Sequence, residues 1–306
     1  MIIAVFPGQG SQTPGFLSPW LELDGARERL GAFSEQAGVD LVAAGTEWDA
    51  DQIRDTAVAQ PLIVAASLLS WTALNDRATT SVAGVAGHSV GEIAALAASG
   101  VLSDQDALRL VGLRGRAMAE AAATVETGMS AVVGGDETAV LERLEALALT
   151  PANYNGGGQI VAAGELPALA ELAAEAPRGT RVIPLQVAGA FHTRFMEPAV
   201  ETLHAAADDV QVSDPATTLW TNSDGSVVTE GRRALDLVVA QVSSPVRWDR
   251  CMASFAEQGV TGIIELSPAG ALTGLAKRAL RGTPTVAVKS PDDLDAAVSL
   301  LKEDQA

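Results

Sequence analysis

Residues 81–100 read SVAGVAGHSVGEIAALAASG. Small and β-branched residues over 81–88 predict a buried strand, and VGEIAALAAS predicts a helix that stops at Gly100. Between them stands Gly87-His88-Ser89-Val90-Gly91, a G-x-S-x-G pattern in the strand-turn-helix setting of a nucleophile elbow. Such a turn leaves no room for side chains two residues either side of the serine, hence the glycines, and it thrusts the hydroxyl clear of the sheet. The helix that follows offers a positive partial charge and free N–H groups, so the Val90 amide is placed to donate to an oxyanion. The plain alternative for these five residues is a tight structural turn.

Working outward, MIIAVFPGQG opens with a continuous apolar run that ends at Pro7 and Gly8, as a buried strand entering a loop does. A helix is expected from about 57 to 74, a strand in TTLWTNSDG at 217–225, and a further strand and helix in VTGIIELSPAG and LTGLAKRALRG. Strands alternating with helices predict an α/β protein with a mainly parallel sheet, α/β-hydrolase-like, whose ligands sit beyond the carboxyl ends of the strands. Over 125–188 the order changes to β-α-β-β-α-β, a ferredoxin-like unit inserted in the larger domain formed by 1–124 and 189–306.

Composition narrows the function. With 48% hydrophobic and 19% charged residues the chain of 306 is globular rather than disordered. A net charge of -18 disfavours nucleic acid and anionic membranes. The single cysteine, Cys251, excludes an internal disulfide and a thiolate-rich metal site, and three histidines argue against a histidine-rich one. No metal or cofactor is therefore expected. The first basic residue is Arg27, so the apolar start lacks the charged region of a secretory signal, and a cytoplasmic location is expected. PLIVAASLLSW from Pro61 falls short of the roughly 20 residues a bilayer span needs and reads as a core helix.

A serine nucleophile needs a base. His88, next to Ser89, is expected to point away from it, and His204 in LHAAAD falls on a solvated or half-buried helix face; His192, in VAGAFHTRFM after the inserted unit, is the remaining candidate. Its plain reading is a hydrogen-bonded structural histidine. No acid among Asp208, Asp214, Asp224, Asp236 and Asp249 has a diagnostic neighbourhood. The loop PGQGSQTPGF at 7–16 lacks the spacing of a phosphate cradle but offers a second N–H, at Gln9, if it is more than a βα turn. Arg114 and Arg116, two apart on a helix, cannot share a face; one is open as a buried anion anchor and either as a surface ion pair.

PGQGSQTPGF at Pro7, QPLIVAAS at Gln60, GHSVGEIAAL at Gly87, LRGRAMAE at Leu113, NYNGGGQIVAAG at Asn153, GAFHTRFMEPA at Gly189, SSPVRWDRCMASFAEQGV at Ser243 and ELSPAGALTGLAKR at Glu265 together resemble the malonyl-CoA:acyl carrier protein transacylase family, in its free-standing bacterial fatty-acid synthesis form. The likeness covers nearly the whole chain. It implies a malonyl ester on Ser89, His192 as base and then acid, the Gln9 and Val90 N–H groups as oxyanion hole, and Arg114 on the malonyl carboxylate. It also implies that the main-chain carbonyl of Gln241 orients His192, in place of an aspartate. Phe191 resembles the malonyl-selecting form of a related motif, in which a bulky ring crowds an α-methyl branch. Malonyl-CoA and holo acyl carrier protein are the implied partners, of an enzyme expected to be a monomer. Lys277, Arg278 and Arg281, read as one helix with Arg232, Arg233, Arg247 and Arg250 upstream, are the candidate docking patch for an acidic carrier; the plain reading is a solvated helix end. The rival enzyme is a serine thioesterase or esterase that discharges the acyl group to water.

Overall fold

The strands are β1 (Ile2–Phe6), β2 (Gly84–Gly87), β3 (Thr127–Gly134), β4 (Thr150–Gly156), β5 (Gln159–Glu165), β6 (Thr180–Pro184), β7 (Thr218–Trp220), β8 (Gly262–Glu265) and β9 (Thr285–Ala287), in a computed structural model that describes residues 1–303. All five residues of β1 are apolar and buried, the pattern of a strand covered on both faces. It lies at the centre of a five-stranded sheet of order β7-β2-β1-β8-β9 in which every pairing is parallel. Alternation along β1 serves two cores: Ile2, Ala4 and Phe6 face the larger one, and Ile3 and Val5 face a second one with Trp220, Trp248 and Phe255.

The helix Thr56–Arg77 is buried through most of its length in the larger core and packs along the helix Asp104–Ala122. It is longer than the expected 57–74, and is the one helix among the described residues long and apolar enough to cross a membrane by composition; 78% of that window is buried inside the protein.

The register sets the site. Phe6 lies opposite Gly87, Ala86 opposite Trp220, and Val5 opposite Glu265. The loops after β1, β2, β7 and β8 therefore open at one edge of the sheet, the carboxyl edge, where ligands of parallel sheets sit. The second sheet is antiparallel, of order β4-β5-β3-β6. The helices Glu137–Ala146 and Leu166–Ala174 complete a βαββαβ ferredoxin-like unit with its own core of Val132, Val140, Leu144, Ile160 and Leu172. Its strand β4 is joined to the larger domain by main-chain bonds: the Tyr154 N–H donates to the Val246 carbonyl (2.9 Å) and the Val246 N–H to the Ala152 carbonyl (2.9 Å).

Two expectations need correction. The strand in 217–225 is only Thr218–Trp220, because the chain then folds back in a turn in which Gly225 has φ 77 and its N–H donates to the Thr221 carbonyl. The last helix before β9 ends at Ala279, so Arg281 is not on it with Lys277 and Arg278; Leu280 leaves helical geometry and Gly282 has φ 92.

Candidate active site

Ser89 sits just past β2 with φ 54, a left-handed conformation that a serine adopts only under constraint. The two glycines of the pattern are required by close approach. A Cβ on Gly87 would lie 2.0 Å from the Gly91 carbonyl carbon, and one on Gly91 would lie 2.2 Å from the Phe6 carbonyl oxygen. Asn222, fully buried after β7, holds the turn: its Oδ1 accepts from the Ser89 N–H (2.8 Å) and its Nδ2 donates to the Gly87 carbonyl (2.6 Å).

Ser89 Oγ lies 2.8 Å from His192 Nε2, and His192 Nδ1 lies 2.8 Å from the Gln241 carbonyl oxygen. A carbonyl only accepts, so Nδ1 carries the proton and Nε2 is left to accept from the serine hydroxyl. Gln241 ends the helix Gly231–Gln241, where carbonyls lack partners within the helix. The negative helix end also favours an imidazolium when it forms, the service an aspartate renders elsewhere. Burial, then the Arg114 charge, lowers the His192 pKa to about 3, which keeps the ring neutral as a base must be. Among the described residues, neither the Gln9 N–H nor the Val90 N–H donates to a protein acceptor, and Val90 is buried at the start of the helix Gly91–Ala98. Both residues flank Ser89, one from each adjacent strand end.

Arg114 is 1% exposed. Its Nη1 donates to Gln60 Oε1 (2.7 Å) and its Nη2 to Gln241 Oε1 (3.1 Å), while its Nε–H has no acceptor. Burial lowers its pKa to about 10, so it stays charged at neutral pH. It does not line the cleft; it lies behind it, with only the Gln241 residue between it and His192. Arg116 donates to the Ala37 carbonyl at a helix end (2.9 Å), so it is neither an anion anchor nor a surface ion pair. Glu92, buried in the first turn after the elbow, accepts from the Asn222 N–H (2.7 Å) and from Gln241 Nε2. Burial pushes its carboxyl up to about 8, against the pull of those donors and of Arg114.

Ser89 and His192 open into a cleft of about 400 Å³ between the two sheets, walled by Met129, Val161, Val187 and Phe191 on its apolar side. His88 also lines it, but it donates from Nε2 to Asn155 Oδ1 (2.9 Å) and does not meet the serine. His204 is exposed, 3.6 Å from Asp208. Arg278 reaches the cleft rim and, like Lys277 and Arg281, is exposed. Of the upstream cations, Arg247 is paired with Asp249 (2.6 Å) and Arg232 bonds the Ala207 and Val210 carbonyls, which removes both from a free patch. No group of three His, Cys, Asp or Glu side chains among the described residues is placed to hold a metal. Sequence reading missed Asn222, Glu92 and Gln60. For Glu92 and Gln60 a signal existed: each is a polar residue at the head of an otherwise apolar helical stretch.

A parallel α/β sheet that presents a serine to a neutral histidine supports chemistry through a covalent ester, and this defines the class as a serine acyl enzyme. The chain belongs to the acyl transferase domain family, whose match spans residues 3–305. It is 55% identical over 304 residues to the malonyl CoA-acyl carrier protein transacylase of Mycobacterium tuberculosis, covering 98% of this chain and 100% of that one. The crystal structure of the malonyl transacylase from that organism superposes with a TM-score of 0.94 over 97% of this chain and all of its own. A malonyl-transacylase solved with its type II PKS acyl-carrier protein gives 0.93 at 30% identity, covering 98% of this chain and 99% of that one.

Proposed function

We propose that the chain is a malonyl-CoA:acyl carrier protein transacylase that works through a malonyl ester on Ser89. The observation that carries the reading is the bond from Ser89 to a histidine whose tautomer a helix-end carbonyl has already chosen. In the first half-reaction Ser89 Oγ attacks the thioester carbonyl of malonyl-CoA while His192 Nε2 takes the hydroxyl proton. The unpaired N–H groups of Gln9 and Val90 receive the oxyanion. Collapse breaks the C–S bond, and His192 returns the proton to the departing CoA thiolate. In the second half the phosphopantetheine thiol of holo acyl carrier protein gives its proton to His192 and attacks the ester; collapse breaks the C–O bond, and His192 returns the proton to the departing Ser89 Oγ.

Arg114 supplies a buried charge and a free N–H for the malonyl carboxylate, reached by displacement of its Gln60 or Gln241 bond. Phe191 crowds a methyl branch at the α-carbon of the acyl group. Residues 125–188 form the ferredoxin-like subdomain that walls the cleft, with 1–124 and 189–306 as the catalytic domain. Lys277, Arg278 and Arg281 receive the acidic carrier. The enzyme works as a cytoplasmic monomer without a cofactor, on a carrier of fatty-acid or polyketide synthesis.

Intact-protein mass after mixing with malonyl-CoA tests this. Wild type gains a malonyl adduct that moves to holo carrier protein, and Ser89→Ala gains none. An adduct lost as fast without carrier as with it assigns the chain to the thioesterases, and no adduct refutes the reading.

A further inference from the structure

Glu92 has no place in the reaction steps above, yet it lies among all the groups that perform them. Its carboxyl group faces the Asn222 N–H at 2.7 Å, Gln241 Nε2 and the Thr221 side chain. Asn222 in turn holds the Ser89 N–H, and the Gln241 main chain holds His192. The Gln241 side chain is the critical link. An amide has a donor end and an acceptor end and a guanidinium only donates; Glu92 takes the acceptor part here, since each of its oxygens already receives an N–H, from Asn222 and from Gln241. With Glu92 on one side and Arg114 Nη2 on the other, at 3.1 Å from Oε1, the amide has a single satisfied orientation.

We infer that Glu92 is a positioning residue, which through the Gln241 amide fixes Arg114 for the malonyl carboxylate as well as His192 for Ser89. This rests on the transacylase reading. Replacing the carboxylate with an amide makes the point chemically. In Glu92→Gln one acceptor oxygen remains, and keeping it on the Asn222 N–H turns an NH2 group toward Gln241. The Gln241 amide then flips, and its own NH2 meets Arg114, donor against donor. The guanidinium loses an acceptor and moves. Exchanging the two residues, Glu92→Gln with Gln241→Glu, restores the pattern: position 92 donates, and position 241 accepts from both sides.

The test is single-turnover acylation of Ser89 by malonyl-CoA and by acetyl-CoA, followed by intact mass, on wild type, Glu92→Gln, Gln241→Glu and the exchange. Each single variant is expected to acylate with malonyl about 10- to 100-fold more slowly, the scale of a displaced catalytic group. Its malonyl-to-acetyl rate ratio falls by about tenfold, because Arg114 is displaced in both: in Glu92→Gln it loses an acceptor, and in Gln241→Glu two acceptors set against each other push position 241 off its place beside the guanidinium. The exchange recovers the ratio to within about threefold of wild type. A merely structural Glu92 would lower both rates alike and leave the ratio unmoved. Single variants that keep the wild-type ratio, or an exchange no better than the worse single variant, overturn the inference while wild-type acylation still upholds the enzyme. Wild type without a malonyl adduct refutes the enzyme reading and this inference with it. If Glu92→Gln fails to fold by circular dichroism, Gln241→Glu and the exchange decide on the same ratio.

Discussion

Truncating Asn222 to alanine should show how much of the elbow is held from outside its own strand and helix. The side chain is fully buried and satisfies two main-chain groups of the turn, the Ser89 N–H at 2.8 Å and the Gly87 carbonyl at 2.6 Å. Asn222→Ala leaves both buried without that partner. A buried polar group left unpaired costs about 1 to 3 kcal/mol, so the pair costs about 2 to 6 kcal/mol. For a chain of this size that is a fall in Tm of about 4 to 12 °C, at the low end of the per-kcal shift for large domains. Activity should fall further than stability alone requires. Ser89 keeps φ 54 only because its surroundings impose it, and with the Oδ1 acceptor gone the strained turn relaxes. Calorimetry gives the first quantity, and single-turnover acylation well below the new Tm gives the second. Asn222→Asp keeps the acceptor for Ser89 but sets an oxygen against the Gly87 carbonyl, so it should lose stability and retain more acylation than the alanine. A loss of less than about 2 °C for Asn222→Ala, with acylation unchanged, would refute the reasoning.

Four further outcomes follow from the site. Because burial holds the free enzyme's His192 at a pKa of about 3, kcat/KM for malonyl-CoA should stay flat as pH falls through 6.5, and an acid limb centred near 6.5 would contradict it. The same lowered value, against 6.5 unfolded, gives stability that is complete above 6.5 and lost as pH falls below it, on the order of 1 kcal/mol by pH 5.5. Glu92, raised to about 8, works in the opposite direction, losing stability as pH rises from 4.5, so the His192 share is read as the difference between wild type and His192→Asn in Tm at pH 7.5 and 5.5. Gly91→Ala places a Cβ 2.2 Å from the Phe6 carbonyl oxygen, backbone that cannot yield; about 3 kcal/mol of stability and most acylation should be lost, checked by denaturant melts and intact mass. Reversing charge at Lys277 and Arg278 should raise KM for carrier protein and spare that for malonyl-CoA; equal effects on both would remove these residues from carrier docking.

The parts of this protein that can be read from sequence are those whose cause is local. The elbow is legible because its five-residue pattern stands between a strand and a helix, with Gly87 demanded by its own turn and Gly91 by the adjoining strand β1, and the βαββαβ unit because each strand and helix carries its own period. Ser89 and His192 came from the pattern and from elimination among three histidines, whereas Gln241 entered only through family resemblance. No local signal marks Asn222. It meets Ser89 across 133 positions, through a parallel pairing of β2 with β7 that nothing in TTLWTNSDG specifies. Arg281 was misplaced because LTGLAKRALRG keeps helical composition past Ala279, and only the left-handed Gly282 stops it.

The two main-chain bonds between β4 and Val246 carry a mechanical consequence. They rivet one wall of the cleft to the segment that leads directly into the helix Trp248–Glu257, so the walls cannot part like jaws without breaking backbone hydrogen bonds. Entry and exit must therefore run lengthwise, the thiol arm threading in from the rim and backing out by the same route. CoA has to vacate before the carrier's arm can arrive, and the two cargoes exclude one another sterically. A queue of this kind, imposed by a fixed aperture rather than by a closing gate, makes the enzyme's turn-taking a property of its masonry.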